Sequence, residues 1–194
     1  PQDLRPWHFG DRFFQDPPPS DELDLDPFFA DYDPVDLATR TYEGLGLEVR
    51  DILQRSDLYP RPGKNQHAFS LDIDRCGDVR TLNNLEPSHR WTETLLHELG
   101  HASYSKHIDR SLPWLLRRSP HTLSTEAVAL NMGSLTYDRD WLRQILAVEG
   151  RQADAIAATA RAQERALKLI FTRWCLVMIH FERALYADPE ADLD

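Results

Sequence analysis

The stretch TLLHELGHASYSKHIDR, residues 94–110, holds two histidines four positions apart, with a glutamate directly after the first. Ser88 has the side chain of a good helix N-cap, so a helix is predicted from there to about His107. Because each residue of a helix advances by about 100°, His97 and His101 project from nearly the same face. The stretch therefore predicts a helix that offers two imidazoles to one ion.

The rest of this helix supports the same interpretation. Its apolar residues fall on the side opposite the two histidines, where burial would hold the helix in place: Trp91, Leu95, Leu99 and Ala102. Glu98 falls between the two faces, beside the histidines. An HExxH zinc site needs this arrangement, with two neutral imidazole ligands and a carboxylate that acts as general base.

A catalytic zinc takes three protein ligands and keeps one position open, so one further ligand is expected. Glu126 lies in the first turn of a helix predicted from about Ser124 to Leu135. A carboxylate beside two histidines is a known hydrolytic pattern, although His107 and His121 remain alternatives. The predicted Zn²⁺ ligands are His97, His101 and Glu126.

The chemistry of such a site predicts a peptide-bond hydrolase. Bound zinc lowers the pKa of its water toward ~7, and Glu98 would accept the proton as that water attacks a carbonyl. Glu98 would then deliver the proton to the departing amine, so a peptide is the expected substrate. The competing interpretation is a helical interaction domain, because a chain with 8 histidines and 32 acidic residues can contain HExxH by chance.

The composition excludes several classes of partner. A net charge of -10 argues against nucleic acid and against an anionic membrane surface, since both need a basic face. The most apolar stretch, residues 167–181, is too short to span a bilayer and contains charged residues. Cys76 and Cys175 form no CxxC pair, so neither a disulfide framework nor a cysteine zinc site is expected. A cytoplasmic location is predicted, and the oligomeric state is left open.

The remaining segments complete a mainly α fold. HAFSLDID, residues 67–74, alternates apolar and polar residues and predicts a strand before the HExxH helix. Helical spacing predicts further helices over residues 34–56, 138–149 and 152–186. The stretch 16–36, rich in Pro and Asp, predicts an irregular loop.

The chain is predicted to be one domain over residues 1–194. Its expected parts are an N-terminal loop and helix (1–57), a zinc-binding core (58–135) and C-terminal helices (136–194).

Two stretches resemble the gluzincin metallopeptidases of the angiotensin-converting-enzyme and thimet-oligopeptidase type. They are TLLHELGHASY, from Thr94, and PWLLRRSPHTLSTEAVALNMGSL, from Pro113. In those families the glutamate ligand follows the HExGH helix at a long spacing, and here residues 102–125 separate His101 from Glu126. DLYPRPGKNQHAF is similar to the oligopeptidase stretch before the active-site helix. The likeness covers roughly residues 58–135, with weaker similarity at LRPW and in the final helix.

The resemblance implies a long helical fold split by a deep cleft, with zinc on the floor and short peptides as substrates. It also implies that an edge strand carrying a His-Ala pair hydrogen-bonds the substrate backbone. His67 and Ala68 match that pair, since His67 lies 30 positions before His97. Both are therefore expected to bind substrate, and the peptide would add as a strand.

The chain also departs from the family pattern. Many gluzincins place an Asp four residues after the glutamate ligand to orient a zinc histidine, whereas that position is Leu130 here, followed by Asn131. The family draws its oxyanion-stabilising Tyr and His from a later segment, and Tyr186 and His180 are predicted to be ordinary residues of the last helix. The expectation is a catalytic segment of a larger peptidase, or a zinc-binding domain that is catalytically incomplete as it stands.

Overall fold

A computed structural model describes residues 23–188 and residue 190. Within that part the chain is mainly helical with one small antiparallel sheet, as predicted. The helices are α1 (Asp26–Phe29), α2 (Pro34–Gly44), α3 (Arg50–Arg55), α4 (His89–Lys106), α5 (Thr122–Ser134), α6 (Arg139–Gln144) and α7 (Gly150–Ala187), and the strands are β1 (Phe69–Asp72) and β2 (Val79–Leu82). The start of the loop predicted over residues 16–36 lies outside the described residues, and the rest of it contains α1.

The chain divides into two compact units. One unit, Asp24–Ala155, contains α1 to α6, both strands and all the predicted site residues. The other includes the chain from Ile156 onward. The prediction that residues 1–194 form one domain of a larger peptidase stays a prediction. None of the helices in the described ranges combines the length and the apolar character needed to cross a membrane.

Helix α4 is the central element of the first unit, and it begins and ends close to the predicted residues. The Ser88 side chain accepts a hydrogen bond from the Trp91 N–H at 3.3 Å, which caps the first turn. Leu95 and Leu99 are fully buried, so the predicted apolar face lies in the core. Tyr42 of α2 is also fully buried and donates its hydroxyl to the Leu96 carbonyl at 2.7 Å. Burial raises the pKa of the Tyr42 phenol well above its usual range.

The prediction of a single helix over residues 34–56 is wrong. The chain forms α2 and α3 instead, with a turn between them in which Gly46 has a φ of +74°. That backbone conformation suits glycine and ends a right-handed helix. The Leu47 N–H bonds back to the Tyr42 carbonyl at 2.9 Å and closes the turn.

The helix predicted over residues 138–149 is shorter in the structure. It begins where the Asp138 side chain accepts hydrogen bonds from the Asp140 and Trp141 N–H groups, and it ends at Gln144. Ala147 then has a φ of +57°, which a continuing right-handed helix does not permit.

The predicted strand over residues 67–74 forms only between Phe69 and Asp72, as β1. It pairs antiparallel with β2, with Phe69 opposite Leu82. The outer edge of β2 is covered, because the Asp57 N–H bonds to the Thr81 carbonyl at 3.1 Å. Within the described residues β1 has no second strand partner, so it is an edge strand.

In β1 the apolar side chains face solvent and the polar side chains face inward, the reverse of the usual amphipathic strand. Leu71 is 52% exposed, whereas the Asp72 side chain is only 11% exposed. Asp72 forms an ion pair with Arg110 at 3.2 Å, and the Arg110 guanidinium also donates to the Ser105 and Lys106 carbonyls at the end of α4. This shared arginine ties the inward face of the sheet to the HExxH helix.

Candidate metal centre

The candidate site lies where α5 packs against α4. Two glycines face the contact, Gly100 on α4 and Gly133 on α5. A β carbon on Gly133 would lie 3.5 Å from the His97 Cβ, so α5 passes directly beside the first histidine. This packing places the N-terminal turn of α5 beside the face of α4 that bears the two histidines.

The donor atoms of the three predicted ligands converge. Nε2 of His97 lies 3.1 Å from Nε2 of His101. Glu126 places one carboxylate oxygen 3.7 Å from the His97 Nε2 and the other 3.6 Å from the His101 Nε2. These three residues form a group of potential metal ligands whose donor atoms all lie within 4.8 Å of one another.

The separation of the two histidine nitrogens is close to the one that a tetrahedral zinc requires. Zinc–nitrogen bonds of about 2.0–2.1 Å at tetrahedral angles place neighbouring donors about 3.3 Å apart. The two histidine nitrogens, 3.1 Å apart, are near that value, and each of them has a different oxygen of Glu126 within 3.7 Å. Two imidazoles and one carboxylate are also a donor set that zinc prefers. The residues present therefore fit this metal.

A hydroxyl group contacts the ring of His101. Oγ1 of Thr125 lies 2.7 Å from the His101 Nδ1, the nitrogen that faces away from the other donors. Leu130, where the resemblance to gluzincins would place an orienting Asp, and its neighbour Asn131 are both exposed. Sequence reasoning missed Thr125. The available signal was its place directly before the third ligand, but no spacing rule points to it.

The alternative third ligands have other roles. The His121 side chain caps α5 by accepting a hydrogen bond from the Leu123 N–H at 3.0 Å. Nδ1 of His107 lies 2.8 Å from the Ser103 carbonyl at the end of α4. The structure brings only Glu126, among the three candidates, to the two histidines.

Glu98 is buried beside this group, with 8% of its surface exposed. Burial, and then the negative charge of Glu126, raise the pKa of the Glu98 carboxyl to about 7. For His97, burial and the neighbouring His101 lower the imidazole pKa, although Glu126 opposes the shift. Both shifts have the direction expected where apolar packing surrounds titratable groups, and a neutral His97 is the form that binds a metal.

A depression of about 300 Å³ opens beside His97. Its lining also includes Glu93, Thr94, Leu130 and Gly133, which belong to α4 and α5. The Glu126 side chain is 43% exposed, so solvent reaches the donor group. The site is therefore accessible to a small ligand from outside.

The structure places the predicted substrate-binding pair just before β1. His67 is exposed and its backbone N–H donates to the Asn65 Oδ1 at 3.0 Å, while Ala68 is half-buried. Their role with a peptide stays a prediction. His180 and Tyr186 are exposed residues of α7, as expected for positions on the last helix. The two cysteines are free thiols.

No model of a known protein family matches the chain, and no curated protein matches its sequence. The interpretation of the site therefore depends on its own geometry and on the motif.

Proposed function

We propose that this chain is the catalytic segment of a zinc metallopeptidase that hydrolyses short peptides. The observation that carries the proposal is the convergence of two imidazoles and one carboxylate, from His97, His101 and Glu126, with donor atoms within 4.8 Å of one another. Glu126 lies 25 residues after His101 in the sequence. If the HExxH motif occurred only by chance, there would be no reason for a distant carboxylate to lie beside its two histidines.

Each residue has a defined task in this proposal. His97 and His101 present Nε2 to the metal as neutral imidazoles, and Glu126 supplies the third ligand and a negative charge. Zinc, when bound, supplies Lewis-acid polarisation of the peptide carbonyl and activation of a water. Glu98 takes up a proton on its carboxylate and passes it to the leaving amine.

The substrate class rests on that chemistry and on the resemblance of residues 58–135 to gluzincin oligopeptidases. Among the described residues β1 pairs with β2 alone, so an extended peptide could add at its other edge, next to His67 and Ala68. Nucleic acid and membrane surfaces remain poor partners for a chain with a net charge of -10. A cytoplasmic location stays part of the proposal.

The second candidate is a zinc-holding domain without activity of its own. It is favoured by the observation that His180 and Tyr186 are exposed residues of the long helix α7. Under this alternative the donor group binds zinc, but the groups that would stabilise the oxyanion lie elsewhere or have been lost.

One experiment separates these possibilities. The complete gene product is purified, its zinc content is measured after dialysis, and hydrolysis of short peptides with free and blocked C-termini is followed before and after chelation. One zinc per chain and activity restored by added zinc are expected. Stoichiometric zinc without hydrolysis would support the zinc-holding domain. An absence of stoichiometric zinc would leave the helical interaction domain.

A further inference from the structure

We propose that Thr125 is a positioning residue for the metal centre: its hydroxyl accepts the Nδ1–H of His101 and so holds the Nε2 lone pair of that ring toward the metal. The inference rests on the proposed zinc function, because it assigns a support to one of the proposed ligands. It depends on a contact between α4 and α5 that neither helix contains alone.

The two nitrogens of the His101 ring face different surroundings. Nδ1 lies 2.7 Å from the Thr125 Oγ1, whereas Nε2 lies 3.1 Å from the His97 Nε2 and 3.6 Å from a Glu126 oxygen. A neutral imidazole has one N–H and one lone pair. Only the tautomer with the proton on Nδ1 leaves Nε2 free to coordinate. In that tautomer the N–H points at the Thr125 hydroxyl, which can accept it.

Because the His101 ring is largely buried, the loss of the Thr125 hydroxyl should matter for the ring's protonation at Nδ1. The His101 side chain is 17% exposed, so water replaces a lost partner only poorly. A buried N–H without an acceptor disfavours the tautomer that carries it. Metal binding requires that tautomer, so the loss of the Thr125 hydroxyl must appear as a loss of metal affinity.

The placement of Thr125 couples two ligands. It is the residue directly before Glu126, so one turn of α5 brings both the third donor and the support for the second. Close packing of α5 on α4 at Gly100 fixes the distance over which the hydroxyl acts. Thr125 thus occupies the role that the family pattern assigns to an Asp after the glutamate, but it acts from the other side of Glu126.

The test compares variants of the complete gene product by zinc affinity, measured in competition with a chromophoric chelator. Thr125→Val keeps the shape and removes the hydroxyl, and we expect its zinc affinity to fall about 10- to 100-fold. Thr125→Ser keeps the hydroxyl and should stay within a few-fold of the parent. Thr122→Val, on an exposed residue of the same helix, is the matched control and should have no effect. Thr125→Ala provides a second variant without the hydroxyl if Thr125→Val does not fold.

A second measurement reports the mechanism rather than the stability of the fold. Imidazole ¹⁵N spectra of the zinc-free protein should show a larger share of the Nδ1–H tautomer of His101 in the parent and in Thr125→Ser than in Thr125→Val, because only an Nδ1–H is left without an acceptor when the hydroxyl is removed. Equal zinc affinity in the parent and Thr125→Val would overturn the inference while leaving the proposed function intact. Equal losses in Thr125→Ser and Thr125→Val would overturn it too, since they would indicate packing. A parent that binds no zinc would instead refute the proposed function, and the inference with it.

Discussion

The backbone of Ala129 in α5 lies against Gly100 in α4 so closely that a β carbon on Gly100 would be 2.7 Å from the Ala129 Cα. Real β carbons do not approach backbone atoms to this distance. Gly100 is the residue before His101, and Ala129 follows Glu126 by one helical turn. The close approach therefore sets how deeply the third donor reaches toward the histidines.

The first prediction concerns this contact. Gly100→Ala should lower the free energy of unfolding by about 1–3 kcal/mol, because the added methyl group meets backbone that cannot turn away. The loss should appear although alanine favours a helix over glycine by about 1 kcal/mol. Urea unfolding measures the change, and zinc affinity should fall with it because α5 is displaced.

Gly44→Ala is the matched control for this prediction. It changes the same residue type at the end of α2, where a β carbon would meet nothing within 4 Å. It should leave stability unchanged or raise it by up to about 1 kcal/mol, through the lower entropy of the unfolded chain. If Gly100→Ala proved as stable as Gly44→Ala, α4 and α5 would not pack as described.

The second prediction concerns Glu126. Glu126→Gln removes the negative charge while keeping the shape, and zinc affinity should fall at least about 10-fold because a carboxylate ligand is lost. Glu86→Gln is the control. It makes the same change of net charge at an exposed residue that is not a proposed ligand. Chelator competition provides both values. Equal affinities for the two variants would mean that another residue supplies the third ligand.

The third prediction concerns Glu98. Glu98→Gln should retain zinc at the parent level, because Glu98 is not one of the three proposed ligands, His97, His101 and Glu126. Peptide hydrolysis should fall by about 10²- to 10⁴-fold, the usual contribution of a general base. Metal content and initial rates on one fluorogenic peptide measure the two effects. Turnover close to that of the parent would remove Glu98 from the mechanism.

The parts of the fold that could be predicted are those specified by local signals. The N-cap Ser88 and the apolar face of α4 are both local signals, so the first and last residues of this helix could be predicted closely. The break between α2 and α3 was missed because apolar spacing continues across Gly46, while its positive φ overrides that spacing. β2 was missed because its four residues acquire their partner only by pairing with β1.

The residues of the candidate site also divide into those that local signals specify and those that depend on tertiary packing. His97, Glu98 and His101 follow from spacing on one helix, whereas Glu126 depends on the packing of a second helix, which sequence separation indicates only indirectly. Thr125 could not be predicted from the sequence, because only the packing of α5 on α4 shows that its hydroxyl lies 2.7 Å from an imidazole nitrogen. The relation of His67 to a substrate depends on where a bound peptide would lie against β1, which local sequence signals do not specify.

A fourth prediction concerns His89, the half-buried first residue of α4, which is not one of the proposed metal ligands. Its ring lies 5.1 Å from that of Phe29 and 4.7 Å from that of Tyr137, measured between centroids. Nε2 lies 3.1 Å from the Thr136 Oγ1, whose own hydroxyl donates to the Gly133 carbonyl at 3.0 Å. Thr136 therefore accepts from a neutral His89. Burial lowers the pKa of His89 to about 4, and the charge of Asp26, the acidic group that faces it from α1, only partly opposes this.

The sign of the resulting pH dependence follows from proton binding. Between about pH 6.5 and pH 4 the unfolded chain binds a proton at this residue and the folded protein does not, so stability is fully present above pH 6.5 and falls as the pH is lowered. The loss amounts to at most about 3 kcal/mol. His89→Gln keeps an N–H donor and cannot titrate, so urea unfolding of both proteins from pH 7.5 to 4.5 isolates the effect, because the other titrating groups cancel. We expect the stability of the parent relative to His89→Gln to decline steadily over this range, and a constant difference would show that His89 protonates as readily in the folded protein as in the unfolded chain.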